Sequence, residues 1–163
     1  MNKRRVVITG MGAVSVLGTG LQKFWSGLIS GQSGIRKITQ FDASALPCQI
    51  AGEVPDFDPE QFLDRKEARR MARSSQMAVA AAQMALEDAG LPIPVIETER
   101  TGVSFGTSIG GLEKFDEGIT TLRTQGLARV NPFTIPLGLP NIPAFLISKQ
   151  FQCLGPNTTV TTA

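Results

Sequence analysis

The stretch SQMAVAAAQMALEDAG, residues 75–90, constrains the fold more than any other. Its pattern is helical, yet Ala78, Ala80, Ala81, Ala82 and Ala85 put small side chains nearly all round it. A surface helix carries one apolar stripe, whereas a helix that is small and apolar on almost every side lies buried between layers. Ser74 or Ser75 opens it, and Gly90 stops it ahead of Pro92 and Pro94.

A buried helix needs sheets to lie against, and the chain supplies strands in alternation with helices. Val6–Gly10 reads as the first strand. Thr19 caps a helix carrying Leu21, Phe24, Trp25, Leu28 and Ile29 on one face and closed by Gly31. CQIAGEV, 48–54, reads as a short strand. Asp64 caps a basic helix running to about Arg73, and TGVSFGTS, 101–108, reads as an apolar central strand. GLEKFDEGITTLRTQG reads as an amphipathic surface helix. NIPAFLISKQFQCLG, 141–155, reads as a helix capped by Asn141, with Pro143 in its first turn and Gly155 at its end. TTVTT, 158–162, is a last β-branched strand, and 126–140 is the longest irregular stretch. The expected class is α/β in layers.

Composition narrows the function. With 42% hydrophobic and 18% charged residues over 163 positions, the chain can bury the core of one domain. A formal charge of +2 gives no nucleic-acid signal, so basic function must come from local clustering. Cys48 and Cys153 with no histidine exclude most zinc sites and form no disulfide framework. They read as buried structural thiols of a reducing, cytoplasmic protein. MNKRR precedes only a short apolar run, so neither a signal peptide nor a membrane span is expected.

Two glycine loops invite a nucleotide reading and resist it. Gly10 and Gly12 are followed by Ser15 where a third glycine is needed, and the nearest downstream acid, Asp42, lies in a turn instead of at a strand end. Gly106–Gly111 lacks the Gly-Lys-Ser/Thr of a phosphate loop. Both read as tight strand-to-helix turns with close backbone packing. Lys66, Arg69, Arg70 and Arg73, at i, i+3, i+4 and i+7, fall on one helical face. That face is either a solvated surface with Glu67 pairing to Arg70, or a patch for an acidic partner.

RRVVITGMGAVSVLG, GQSGI, Phe41-Asp42, RKEARRM, GTSIGG, Asn131-Pro132-Phe133 and GPNTTVTTA occur in one order. In that order the chain resembles the N-terminal half of a β-ketoacyl-acyl carrier protein synthase of the synthase II type. The resemblance implies a thiolase-like fold, in which two similar halves build a five-layered αβαβα core, with residues 1–163 as one half-domain. It makes the VVITGMG turn a structural signature. It implies that a cysteine directly after Ala163 is the nucleophile and that two catalytic histidines lie in the other half. Val16 and Pro143 depart from the family pattern.

The expectation is therefore no catalytic residue in this chain, no metal, no cofactor and no condensation by the chain alone. Neither Cys48 nor Cys153 stands at a strand-to-helix elbow. The resemblance assigns Lys66, Arg69 and Arg70 to docking of acyl carrier protein. It makes Ile109 a gate over the acyl chain, and has Phe133 and Thr134 reach the pocket of a partner protomer. For Phe133 a plain core position is the alternative. A homodimer joined near Thr158–Thr162 is expected, with no nucleic-acid or membrane partner. A chain-length partner of a ketosynthase, a polyketide ketosynthase and a non-catalytic half-domain that binds or assembles are the alternatives.

Overall fold

The structure, a computed structural model, describes residues 4–162. In chain order its elements are β1 (Val14–Ser15), β2 (Gly18–Thr19), α1 (Leu21–Ile29), β3 (Ile35–Lys37) and β4 (Ile50–Gly52). There follow α2 (Arg65–Ala68), α3 (Arg73–Asp88), β5 (Val103–Gly106), α4 (Leu112–Gln125), α5 (Thr134–Gly138), α6 (Ile142–Phe151) and β6 (Asn157–Val160).

The core forms where α3 and α6 pack together against β5. Val79 and Ala80 of α3 and Ala144 of α6 are fully buried, and Phe151 nearly so. Val79 and Phe151 form one cluster with Leu63, Ala68, Met71, Val95, Ile147 and Cys153, and Val103 and Phe105 of β5 pack against it. The alanine-rich helix is half-buried or buried over most of its length, as its composition requires. Small side chains allow backbones to approach it. A Cβ added to Gly12 would lie 2.0 Å from the Ala81 carbonyl oxygen, and one added to Gly10 would lie 2.3 Å from that of Ala85.

β5 and β6 pair in parallel, Val103 opposite Asn157 through to Gly106 opposite Val160. Their connection carries α4, α5 and α6, as a parallel pair demands a long crossover. β1–β2 and β3–β4 are small antiparallel pairs. The mixed α/β layering read from the sequence is present.

Several expectations are corrected. Val6–Gly10 is not a strand among the described residues: no neighbour makes a ladder with it, and Val6 and Ile8 are 94% and 82% exposed. Thr19 does not cap α1; it belongs to β2 opposite Val14, and Gly20 at φ 101 begins the helix. Trp25, Leu28 and Ile29 of α1 are exposed, and its buried point is Gly27, against Leu17. β3 has no sequence signal, since IRK is exposed at every position. The stretch 126–140 contains α5 and a 3-10 turn, Leu127–Arg129.

Helix α6 ends at Gln152, which takes a left-handed conformation at φ 58, and not at Gly155. Gly155 is needed elsewhere: its N–H donates to the Thr101 carbonyl at 2.9 Å, and a Cβ there would meet that oxygen at 2.8 Å. Gly31 and Gly90, each at φ 65, follow the ends of α1 and α3 as read.

Candidate functional site

The basic segment folds as two pieces. Asp64 caps α2 through its carboxylate, which accepts from the Lys66 N–H at 2.8 Å. The helix then stops after one turn. Met71 and Ala72 are buried, at 6% and 0% exposure, and drawing them inward turns the chain before α3 begins. Ala72 is extended at φ −68 and ψ 153, so the two helices do not merge. The Arg70 and Met71 N–H groups close the turn on the carbonyls of Glu67 and Ala68.

This break corrects the single-face reading. Lys66, Arg69 and Arg70 stay exposed and, with Asp64 and Arg65, line one shallow hollow. None of the three makes an ion pair among the described residues. Arg73 leaves the group. Its guanidinium lies 4.6 Å from the Phe57 ring centroid and donates to the Val54 and Phe57 carbonyls at 3.2 and 3.1 Å. Burial there lowers its pKa. Glu67 does not pair with Arg70; it accepts from Lys149 of α6 at 3.0 Å.

The residues assigned to the acyl chain are not gathered in one cavity. Ile109 is 57% exposed on the loop between β5 and α4. That loop is tied down by the Gly111 N–H on the Gly138 carbonyl at 3.2 Å. Phe133, at the start of α5, is 63% exposed and so is not a core residue. Thr134 is half-buried and seated on Gly118 of α4, where a Cβ would lie 2.3 Å from its methyl carbon. Thr134 lines an apolar groove of about 450 Å³ with Phe115, Ile119, Leu122, Leu127 and Ile135, and neither Ile109 nor Phe133 lines it.

Both glycine turns serve packing. The Met11 N–H donates to the Asp88 carboxylate at 2.9 Å, which puts a negative charge where a phosphate would have to sit. The second loop leads into α4 with Glu113 in its first turn. That carboxylate accepts from the Arg73 N–H at 2.7 Å and so caps α3. Cys153 is buried, and burial raises its pKa; Cys48 is exposed, against expectation, because it precedes the short surface strand β4. Neither stands at the start of a helix, where a thiolate would be favoured. Among the described residues no cluster of three metal-ligating side chains occurs, and no helix is long and apolar enough to cross a membrane.

Three side chains that support this region escape sequence reading. Lys149 pairs with Glu67 across 82 positions, Glu113 caps a helix 40 positions away, and Gln76 braces the basic turn from inside. No local pattern marks such contacts.

An exposed basic turn, a largely buried alanine-rich helix and a parallel strand pair follow one another along the chain, in a mixed α/β fold of thiolase-like type. The family model for the β-ketoacyl synthase N-terminal domain matches residues 3–163, and the chain belongs to that family. It is 45% identical over all 163 residues to a 3-oxoacyl-[acyl-carrier-protein] synthase 2 of Synechocystis, and spans 39% of that relative's length. The ishigamide ketosynthase/chain length factor superposes with a TM-score of 0.86 at 34% identity, covering 98% of this chain and 40% of that one. A type II polyketide ketosynthase solved in complex with its acyl carrier protein superposes at 0.80, with 98% and 42% covered; at 21% identity it speaks for the fold alone.

Proposed function

We propose that residues 1–163 are the N-terminal half-domain of a 3-oxoacyl-acyl carrier protein synthase that elongates fatty acyl chains in the cytoplasm. The observation that carries this reading is the 45% identity to such a synthase over every residue of the chain. In this reaction a cysteine thiolate attacks the acyl thioester and releases the carrier thiol. Malonyl-carrier protein then loses carbon dioxide, and the resulting carbanion displaces the cysteine to give the 3-oxoacyl product. The reading places that cysteine directly after Ala163 and its histidines outside this sequence, which contains none.

The contributions proposed for this chain are positional. β5 and β6 aim the backbone toward the nucleophile. Lys66, Arg69 and Arg70 dock the acidic carrier protein; their exposure and their lack of ion-pair partners among the described residues support this role. Ile109 gates the acyl chain, and Phe133 and Thr134 reach across to a second protomer; the exposure of Phe133 fits a residue kept for a partner surface. Among the described residues β6 pairs with β5 alone, which leaves its other edge for the same strand of a second copy.

The test is binding of holo-acyl carrier protein at low ionic strength. Exposed charge pairs are worth only about 0.2–1 kcal/mol each, so the double variant Lys66→Glu, Arg70→Glu is the informative one. It should bind more weakly than either single variant, and the loss should shrink as salt is added. Unchanged binding rejects the docking assignment. A second reading, a chain-length partner lacking the nucleophile, is favoured by the superposition on the ketosynthase/chain length factor. Cysteine immediately after Ala163 in the parent protein decides for the synthase, and any other residue for the chain-length partner.

A further inference from the structure

We infer that Gln76 is the positioning residue of the carrier-docking turn, an inference that rests on the docking reading above. The two arginines of that turn, Arg69 and Arg70, lie beyond the last residue of a one-turn helix. A helix of four residues does not hold its own end, because it lacks the cooperative ladder of a longer one. Something outside it must fix the direction in which the arginines leave.

Gln76 does this from the second turn of α3. Its Nε2 donates to the Ala68 carbonyl at 2.8 Å, part-buried, at the point where α2 ends. The same carbonyl accepts the Met71 N–H at 3.1 Å, so its two acceptor directions hold the turn from two sides. The orientation of the Gln76 amide is itself set. Its Oε1 faces the Arg73 guanidinium at 3.5 Å, and Arg73 is clamped by the Val54 and Phe57 carbonyls and the Phe57 ring. A donor therefore points to Ala68 and an acceptor to Arg73, and the reverse would fail at both ends. A second tie to α2 comes from Lys149 of α6, which pairs with Glu67 at 3.0 Å. The turn is thus pinned to the two core helices, α3 through Gln76 and α6 through Lys149, with its cations left outside.

Gln76→Glu isolates this role. It preserves size and the contact to Arg73, but replaces the donor to the Ala68 carbonyl with a carboxylate oxygen that repels it. Binding of holo-acyl carrier protein should be measured for the parent chain, Gln76→Glu, the double variant Arg69→Ala, Arg70→Ala, and the triple variant. Gln76→Glu should weaken binding about threefold to tenfold, the range set by loss of one hydrogen bond. In the background lacking both arginines it should cause no further loss. Backbone hydrogen exchange should quicken at Arg69, Arg70 and Met71 while the middle of α3 stays protected.

Parent-like binding by Gln76→Glu, an equal loss in both backgrounds, or unchanged exchange in the turn overturns the positioning role. If the Arg69→Ala, Arg70→Ala variant binds like the parent, the docking reading fails and the inference falls with it. If that variant binds weakly while Gln76→Glu does not, the positioning role alone is lost.

Discussion

Replacing Gly12 with alanine should cost the fold more than an exposed glycine turn would lead one to expect. The added methyl would lie 2.0 Å from the Ala81 carbonyl oxygen, 2.9 Å from the Ala85 nitrogen and 2.9 Å from the Met84 Cβ. All three belong to α3, and two are backbone atoms that cannot rotate aside. The entering segment must lift off the helix to restore ordinary contact distances. Overpacking costs about 1–3 kcal/mol, and a backbone obstacle places this case at the upper end. At about 2–4 °C per kcal/mol for a chain of this size, the midpoint should fall by roughly 6–12 °C.

Gly106→Ala is the control, since nothing lies within 4 Å of its added Cβ. Thermal unfolding followed by circular dichroism and by calorimetry gives both midpoints. A Gly12→Ala midpoint within about 2 °C of the parent would refute the packing argument. So would phosphate stabilising the parent and failing to stabilise the variant, because the turn would then be an anion cradle after all.

Two further outcomes are expected. The Glu53 carboxylate accepts from the Thr39 hydroxyl at 2.7 Å and from the Thr39 and Gln40 N–H groups, and these bonds hold its pKa below the ordinary glutamate value. A lowered folded pKa means stability present above the ordinary glutamate range and lost as pH falls through the lowered value. Glu53→Gln should therefore be less stable than the parent near neutral pH, and the gap in urea midpoint should close in acid. In thiol labelling, Cys48 should react at once, and Cys153, buried and with a raised pKa, only as the chain unfolds.

What was legible in the sequence was what short-range chemistry settles. The alanine content of residues 78–85 demanded a buried helix, Gly90 ended it, and the apolar stretch 101–108 yielded a strand over 103–106, though not a central one, since among the described residues it pairs with β6 alone. Asp64 caps α2 as its side chain predicts. Expectations failed where a distant residue decides. Helical spacing placed Arg73 beside Arg69 and Arg70, but burial of Met71 and Ala72 breaks the helix and Phe57 captures the arginine. The apolar run Val6–Thr9 has the composition of a strand, but strand status needs a partner, and none pairs with it among the described residues. In the candidate site Lys66, Arg69 and Arg70 were legible as a charge cluster. The supports at Gln76 and Lys149 were not, because the first depends on the break between two helices and the second on a residue 82 positions away, and neither leaves a periodicity.

The parallel pairing of β5 with β6 governs how this chain reaches its native state. Val103 meets Asn157 only by closing the whole intervening chain into a loop, and that closure costs entropy before any ladder bond repays it. Helices α4 and α6 are local and form on fast timescales, whereas the strand contact is non-local and sets the pace. During that interval β5 and β6 expose unmated edges to other chains at the same stage. Yield on refolding is therefore a race between an intramolecular closure indifferent to protein concentration and an intermolecular pairing that rises with it.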